Sequence, residues 1–290
     1  MLDYHLHLWP HGSPDHAPTL DELAKFCELA QRAGVKEIAL TEHLFRFRQA
    51  DAVLGRYFRR FPATPMRDLM EQYWQEHARA DLDQYVEMAV AAKRAGLPLK
   101  VGLEVDYYED HMDQVKELLA PYPFDVLLGS VHWIDDWPFD HVSDPEVIAA
   151  WDRYGVEPAW QAYTRALEEL ADSDAIDVLA HPDLIKIMGH RPEVPDEYYH
   201  RMAEAAANAG IAAEVSTAGW RKPVNEIYPA PALLDYFFRY GVPITTATDS
   251  HGTGHIGFRM DDSRAYVRGA GYEVLVAFEA RSPYSVTIEG

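Results

Sequence analysis

Short apolar runs alternate with longer amphipathic stretches along the chain. The runs cover residues 2–8, 35–41, 99–103, 124–130, 176–180, 211–215 and 243–247. Each has the length of a buried strand and is followed by polar residues. Between them, stretches such as 19–33, 72–95 and 196–209 repeat their apolar residues at helical spacing. Glycine often follows the last periodic residue, as in Ala33-Gly34, Ala95-Gly96, Ala209-Gly210 and Tyr240-Gly241. That is a helix C-cap, with the next strand beginning directly after it. Such alternation predicts a parallel sheet. The seven runs predict a closed or nearly closed β/α barrel, with a doubly wound open sheet as the alternative. Residues 45–70 break the rhythm. They are rich in Arg and aromatics, carry Pro62 and Pro65, and read as a long insertion after the second strand. A length of 290 residues fits one barrel domain over 1–290.

In a barrel the C-terminal ends of the strands meet at one face, where active sites sit. The residues at those ends are therefore neighbours in space. Run one carries His5 and His7, whose period-two spacing sends both imidazoles to one side. Later runs deliver Glu42 and His43, then Glu104 and Asp106, then His132, then His181 and Asp183. The sixth ends near Glu214, Ser216 and Thr217, and the seventh is followed by Asp249, Ser250 and His251. Imidazole and carboxylate together suit Zn, Mn or Fe, and no thiolate set exists for a structural zinc. The surplus of imidazoles implies at least two metals, with three expected. Taken singly, each histidine is more often an ordinary hydrogen-bonded residue; the joint pattern carries the assignment. Asp183 reads as a cap for a helix after His181-Pro182, and Asp3 as a group orienting His5.

Composition adds constraints. Lys and Arg number 26 against 47 Asp and Glu, a net charge of −21. That field repels nucleic acid and anionic membranes, so neither is expected as a partner. It also repels a phosphate ester, so a phosphorylated substrate needs a local reversal of sign from metals or a few basic side chains. Apolar residues make up 48% of the chain, enough for a sizeable core, yet no run is long enough to cross a membrane. The Met-Leu-Asp-Tyr-His start lacks the pattern of a signal peptide. Cys27 is the one cysteine, so no internal disulfide forms, in keeping with a reducing cytoplasm.

A polynuclear metal site of this kind suits phosphate-ester hydrolysis. The metals screen the phosphoryl oxygens, acidify a bound water and align attacking and leaving oxygens. Glu104 is the expected bridge between two metals, and the expected nucleophile is a metal-bound hydroxide. Neither a nucleophile elbow nor a P-loop is present.

Over nearly its whole length the chain resembles the PHP (polymerase and histidinol phosphatase) superfamily. The motifs are Asp3-Tyr4-His5-Leu6-His7, Thr41-Glu42-His43, Gly102-Leu103-Glu104, Gly129-Ser130-Val131-His132, Ala180-His181-Pro182-Asp183 and Thr248-Asp249-Ser250-His251, in that order. Finer motifs resemble its histidinol-phosphatase branch: His132-Trp133 followed by Asp136-Trp137-Pro138-Phe139-Asp140, Gly189-His190-Arg191, the run Ser216 to Pro223, and Glu226 to Pro231. The resemblance implies a distorted seven-stranded barrel with a trinuclear centre, hydrolysing L-histidinol phosphate as a step of histidine biosynthesis. A PHP enzyme for another small phosphorylated metabolite or nucleotide is the alternative. A binding module with a relict site is disfavoured, because no strand-end ligand type is missing. By resemblance, His5, His7, Glu104 and Asp249 hold one metal, and Glu104, His132 and His181 a second. His43 and His251 hold a third together with His16, favoured for the Asp15-His16-Ala17 context, or with His11. Glu104, Asp249 and His251 are the expected catalytic residues. Arg191 and Arg221 resemble phosphate-binding arginines, whose forks suit phosphate. Trp133, Trp137 and Trp220 are candidates for walling the substrate pocket, with core packing as the alternative for each.

Overall fold

The computed structural model describes residues 1–11 and 16–289. The seven apolar runs form β1 (Leu2–His7), β2 (Glu37–Leu40), β3 (Leu99–Asp106), β4 (Val126–Ser130), β5 (Val178–Leu179), β6 (Ala212–Ser216) and β7 (Ile244–Ala247). They pair in parallel and in chain order. A doubly wound sheet would reverse that order at a switch point, so the open-sheet alternative drops out. A short β8 (Ser250–His251) follows β7 and pairs with β1 through Leu6–Ser250 and His7–His251. The Thr246 hydroxyl also donates to the Leu2 carbonyl at 2.7 Å. β7 and β1 thus meet, and the sheet curls back on itself as a distorted barrel. Every residue of β1 and β3 is buried, as expected for parallel strands covered by helices.

The helices are α1 (Leu20–Arg32), α2 (Arg48–Leu54), α3 (Pro65–His77), α4 (Leu82–Arg94), α5 (Met112–Leu119), α6 (Pro145–Tyr154), α7 (Val156–Asp172), α8 (Asp196–Ala209), α9 (Pro231–Tyr240) and α10 (Met260–Gly269). α1 begins in a capping box between Thr19 and Glu22. α8 and α9 end on Gly210 and Gly241, whose φ of 68° and 70° is the left-handed cap that glycine takes without strain.

Three features differ from the sequence pattern. The periodic stretch 72–95 is two helices, not one. Asp81 accepts from the Gln84 amide at 3.2 Å and starts α4, while the amides of Arg79 and Ala80 both donate to the Arg46 carbonyl at 3.0 Å. Residues 45–70 are largely helical, holding α2 and the start of α3, and they pack through Phe45, Phe47, Tyr57 and Phe58. Finally, β9 (Val274–Glu279) and β10 (Ser282–Thr287) form an antiparallel hairpin that the strand–helix rhythm did not predict. Glu279 accepts from Lys93 at the end of α4 and from Lys100 near the start of β3, both at 2.6 Å. The hairpin therefore lies at the strand N-termini, away from the site.

Candidate metal centre

Glu104 points from β3 into the barrel mouth and lies among five imidazoles. Its Oε2 is 3.3 Å from His5 Nε2, 3.5 Å from His7 Nε2 and 2.7 Å from His43 Nδ1. Its Oε1 is 3.0 Å from His181 Nε2 and 3.4 Å from His132 Nε2. Asp249 Oδ1 is 3.5 Å from His7 Nε2 and 3.9 Å from His5 Nε2. These distances are short, but most lack hydrogen-bond geometry. His5 Nε2, both ring nitrogens of His7, His43 Nδ1 and Glu104 Oε2 are buried with no hydrogen-bond partner. Orphaned polar atoms facing one another are expected where cations belong. Among the described residues, four triads place ligand atoms within 4.8 Å of one another: His5/His7/Asp249, His5/Glu104/His181, His7/His43/His251 and His43/Asp106/His132. The donor set therefore fits several divalent ions. Two of the residues, His181 (φ 27°) and Asp249 (φ 49°), hold positive φ, a strain that tertiary structure has to maintain.

The electrostatics agree. Burial disfavours a charged Glu104, yet His5, His43 and His132 outweigh it and hold the carboxyl well below the usual range. Burial opposes Asp249 in the same way, and His5 and His7 bring it well below. Burial lowers His5, but Glu214, Glu104 and Asp249 together raise it well above its ordinary value. His132, largely but not fully buried and beside Glu104 and Asp106, rises to about 10. Burial leaves His43 well below its ordinary value and brings His251 to about 3. The carboxylates thus favour positive charge on the rings they face, the same preference that suits them to cations.

An outer layer of carboxylates holds the rings. His5 Nδ1 donates to Glu214 at 2.8 Å and His132 Nδ1 to Asp106 at 2.6 Å, leaving both Nε2 atoms facing Glu104. Glu42 lies 3.5 Å from His7 Nδ1 and accepts the Trp9 amide at 2.9 Å. Glu42, Asp106 and Glu214 stand at strand ends in the sequence, but the sequence pattern assigns none of them this role. The signal available was their in-barrel position on the strands that flank the ligands.

Other expected positions are corrected. Asp3 does not hydrogen-bond His5. It accepts from the Thr248 amide at 2.8 Å and hydroxyl at 2.7 Å, pinning the turn that carries Asp249, and burial raises it to about 7. Asp183 makes no cap bond; it pairs with buried Lys186 at 2.8 Å and accepts the Ala230 amide at 2.7 Å. His16 stays outside the cluster: its ring is 58% exposed and bonds Glu22 at 3.1 Å. Asp15, from the same motif, lies outside the described residues. His11 instead stacks on His251 with ring centroids 4.1 Å apart and lies 5.7 Å from the His43 ring. His11→Ala is therefore expected to remove about one metal per chain by elemental analysis, and His16→Ala none. Equal metal content in both variants would contradict this placement.

Above the cluster opens a cleft of about 390 Å³. Neither predicted arginine lines it. Arg191 is ion-paired with Glu226. Arg221 donates to the carbonyls of Thr248 at 2.7 Å and Asp249 at 2.9 Å, clamping the Asp249 turn. The next residue, Lys222, does line the cleft, beside Asp249 and His251. Gly219 seats that loop: a Cβ there would stand 1.9 Å from the Glu226 carbonyl oxygen, which only glycine permits. Of the tryptophans, Trp133 lines the cleft. Trp137 is fully buried, bonds the Val147 carbonyl and stacks on Tyr154, so it is core. Trp220 carries the Arg259 guanidinium 3.8 Å above its ring, outside the cleft lining.

Fold and site define a class: a β/α barrel that gathers histidines and carboxylates at its strand ends to hold divalent metals. Residues 3–218 match the PHP domain, and the chain belongs to that family. It is 30% identical over 274 residues to a Deinococcus radiodurans protein described as a probable histidinol-phosphatase, covering 93% of this chain and 94% of the relative. It is 26% identical over 288 residues to the histidinol-phosphatase of Bacillus subtilis, covering 89% and 96% respectively. The crystal structure of histidinol phosphate phosphatase from Lactococcus lactis, solved with zinc, L-histidinol and phosphate, superposes with a TM-score of 0.68 at 21% identity. That match covers 98% of both chains. No helix among the described residues is long and apolar enough to cross a membrane.

Proposed function

We propose that this protein is a metal-dependent phosphomonoesterase that hydrolyses L-histidinol phosphate to L-histidinol and phosphate. The carrying observation is the buried Glu104 carboxylate with five imidazoles around it, three of which, His43, His132 and His181, line an open cleft. The relatives named for this activity, aligned over most of the chain, support the substrate. So does the Lactococcus lactis protein, whose crystal structure holds zinc and both products. We read the metals as two to three Zn, Mn or Fe ions. When bound, they supply Lewis acidity, screening the phosphoryl oxygens and acidifying a water.

The chain's own residues do the rest. His5, His7, Glu104 and Asp249 would hold one ion, Glu104, His132 and His181 a second, and His43, His251 and His11 a third. Glu214 and Asp106 fix the tautomers of His5 and His132, so that Nε2 is the free ligand atom. Lys222 brings a positive charge to the cleft rim, which a chain at −21 needs in order to receive a phosphate. The lone buried thiol and the acidic surface fit a cytoplasmic enzyme with no nucleic-acid partner.

Phosphate release from a panel of phosphomonoesters by the metal-loaded protein tests the reading. Histidinol phosphate is expected to give the highest kcat/KM. A clear preference for a nucleotide or sugar phosphate would replace the substrate while leaving the chemistry intact.

A further inference from the structure

Among the described residues three carboxylates line the cleft, and two of them are occupied. Asp249 faces His5 and His7. Asp144 caps α6, accepting from the Glu146 amide at 2.8 Å. Asp140 has no comparable contact: its Oδ1 is buried without a hydrogen-bond partner, no described Lys, Arg or His forms an ion pair with it, and its charge reaches His132 only at longer range. It also belongs to none of the metal-ligating triads. A buried carboxylate oxygen left without a donor is costly, so its presence at the edge of an open cavity points to a donor that arrives with a ligand.

The backbone under Asp140 is held by packing and hydrogen bonds. Fully buried Trp137 and Phe139 anchor the segment, and Ile134 and Trp137 exchange two backbone hydrogen bonds of 3.0 and 2.9 Å. Phe45, Tyr73 and Trp133 line the same cleft and supply aromatic faces, which also favour a cation. Lys222 contributes the one Lys or Arg side chain among the lining residues. The cleft thus offers a basic group suited to phosphate and an acidic one suited to a cationic organic group.

Resting on the phosphomonoesterase reading above, we propose that Asp140 is a specificity-determining residue that accepts a cationic nitrogen of the substrate's organic half. The nitrogen is the ammonium of an amino-alcohol phosphate or the protonated nitrogen of a ring. A site built around such a donor rejects esters that lack it, because the carboxylate then stays unpaired.

The test compares parent and Asp140→Asn on four esters: histidinol phosphate, its analogue without the amine, a simple 2-amino-alcohol phosphate and glycerol phosphate. The parent should prefer the cationic esters. In Asp140→Asn, the ratio of kcat/KM for a cationic ester to that for glycerol phosphate should fall on the order of 10²-fold. Loss of preference for the two amine-bearing esters alone identifies the ammonium; loss for the two ring-bearing esters alone identifies the ring nitrogen. Competitive inhibition by L-histidinol should weaken in parallel, while inhibition by inorganic phosphate should not. An unchanged ratio, or a parent with no preference for any cationic ester, overturns the inference. A parent that prefers amines yet ignores histidinol phosphate overturns the substrate and leaves the role of Asp140 standing.

Discussion

Glu104→Gln is expected to lower kcat on the order of 10²-fold or more, a barrier increase of about 2.7 kcal/mol at the lower limit. One carboxylate approaches five imidazoles, three through Oε2 and two through Oε1, so it is the group common to adjacent metal positions. Glutamine keeps the size and one acceptor oxygen but removes the negative charge and places an N–H₂ where the second acceptor stood. The imidazoles it faces would then lack the charge that compensates both their protons and the cations. Bound metal per chain should fall along with turnover. Parental turnover with parental metal content in this variant would rule out the bridge.

Stripping the metals is expected to abolish phosphate release, with recovery on adding Zn, Mn or Fe. Reloading should also raise the melting temperature, because an ion that binds only the folded chain stabilises it by about 4 kcal/mol at a thousandfold excess over its Kd. The sign of the proton exchange follows from the site. In the metal-free protein, carboxylates raise His5 well above its ordinary value and His132 to about 10, so both carry protons at neutral pH. Their Nε2 atoms have to be free to ligate a cation. Metal uptake at neutral pH therefore releases protons, and affinity weakens as the pH falls. Titration calorimetry in buffers of different ionisation enthalpy should show heats that depend on the buffer. Full activity after exhaustive chelation, or heats independent of buffer, would contradict this account.

Much of the site is legible in the sequence because it is encoded locally. His5 and His7 share a face by the period of a strand, and His132, His181 and Asp249 follow apolar runs that end at one barrel face. The outer layer is less legible. Glu214 orients His5 across 209 residues, while Asp3, two residues away, turns to Thr248 instead. No spacing rule distinguishes these two acids. The hairpin after α10 is similarly hidden, because its partners are Lys93 and Lys100 far back in the chain.

The sequence by itself determined the alternation of strands and helices, the glycine caps at 210 and 241, and the set of residue types delivered to the barrel mouth. Each depends on a repeat of two or 3.6 residues, or on the conformation of a single residue. Tertiary structure alone decided that His11 rather than His16 joins His251, that Arg191 and Arg221 are engaged with Glu226 and with the 248–249 carbonyls, and that Lys222 and Asp140 face the cleft. These outcomes turn on loop paths and on contacts made or lost within an ångström or so. Hydrogen bonds and ion pairs weaken over that distance, and no local pattern records how far apart two remote side chains will stand.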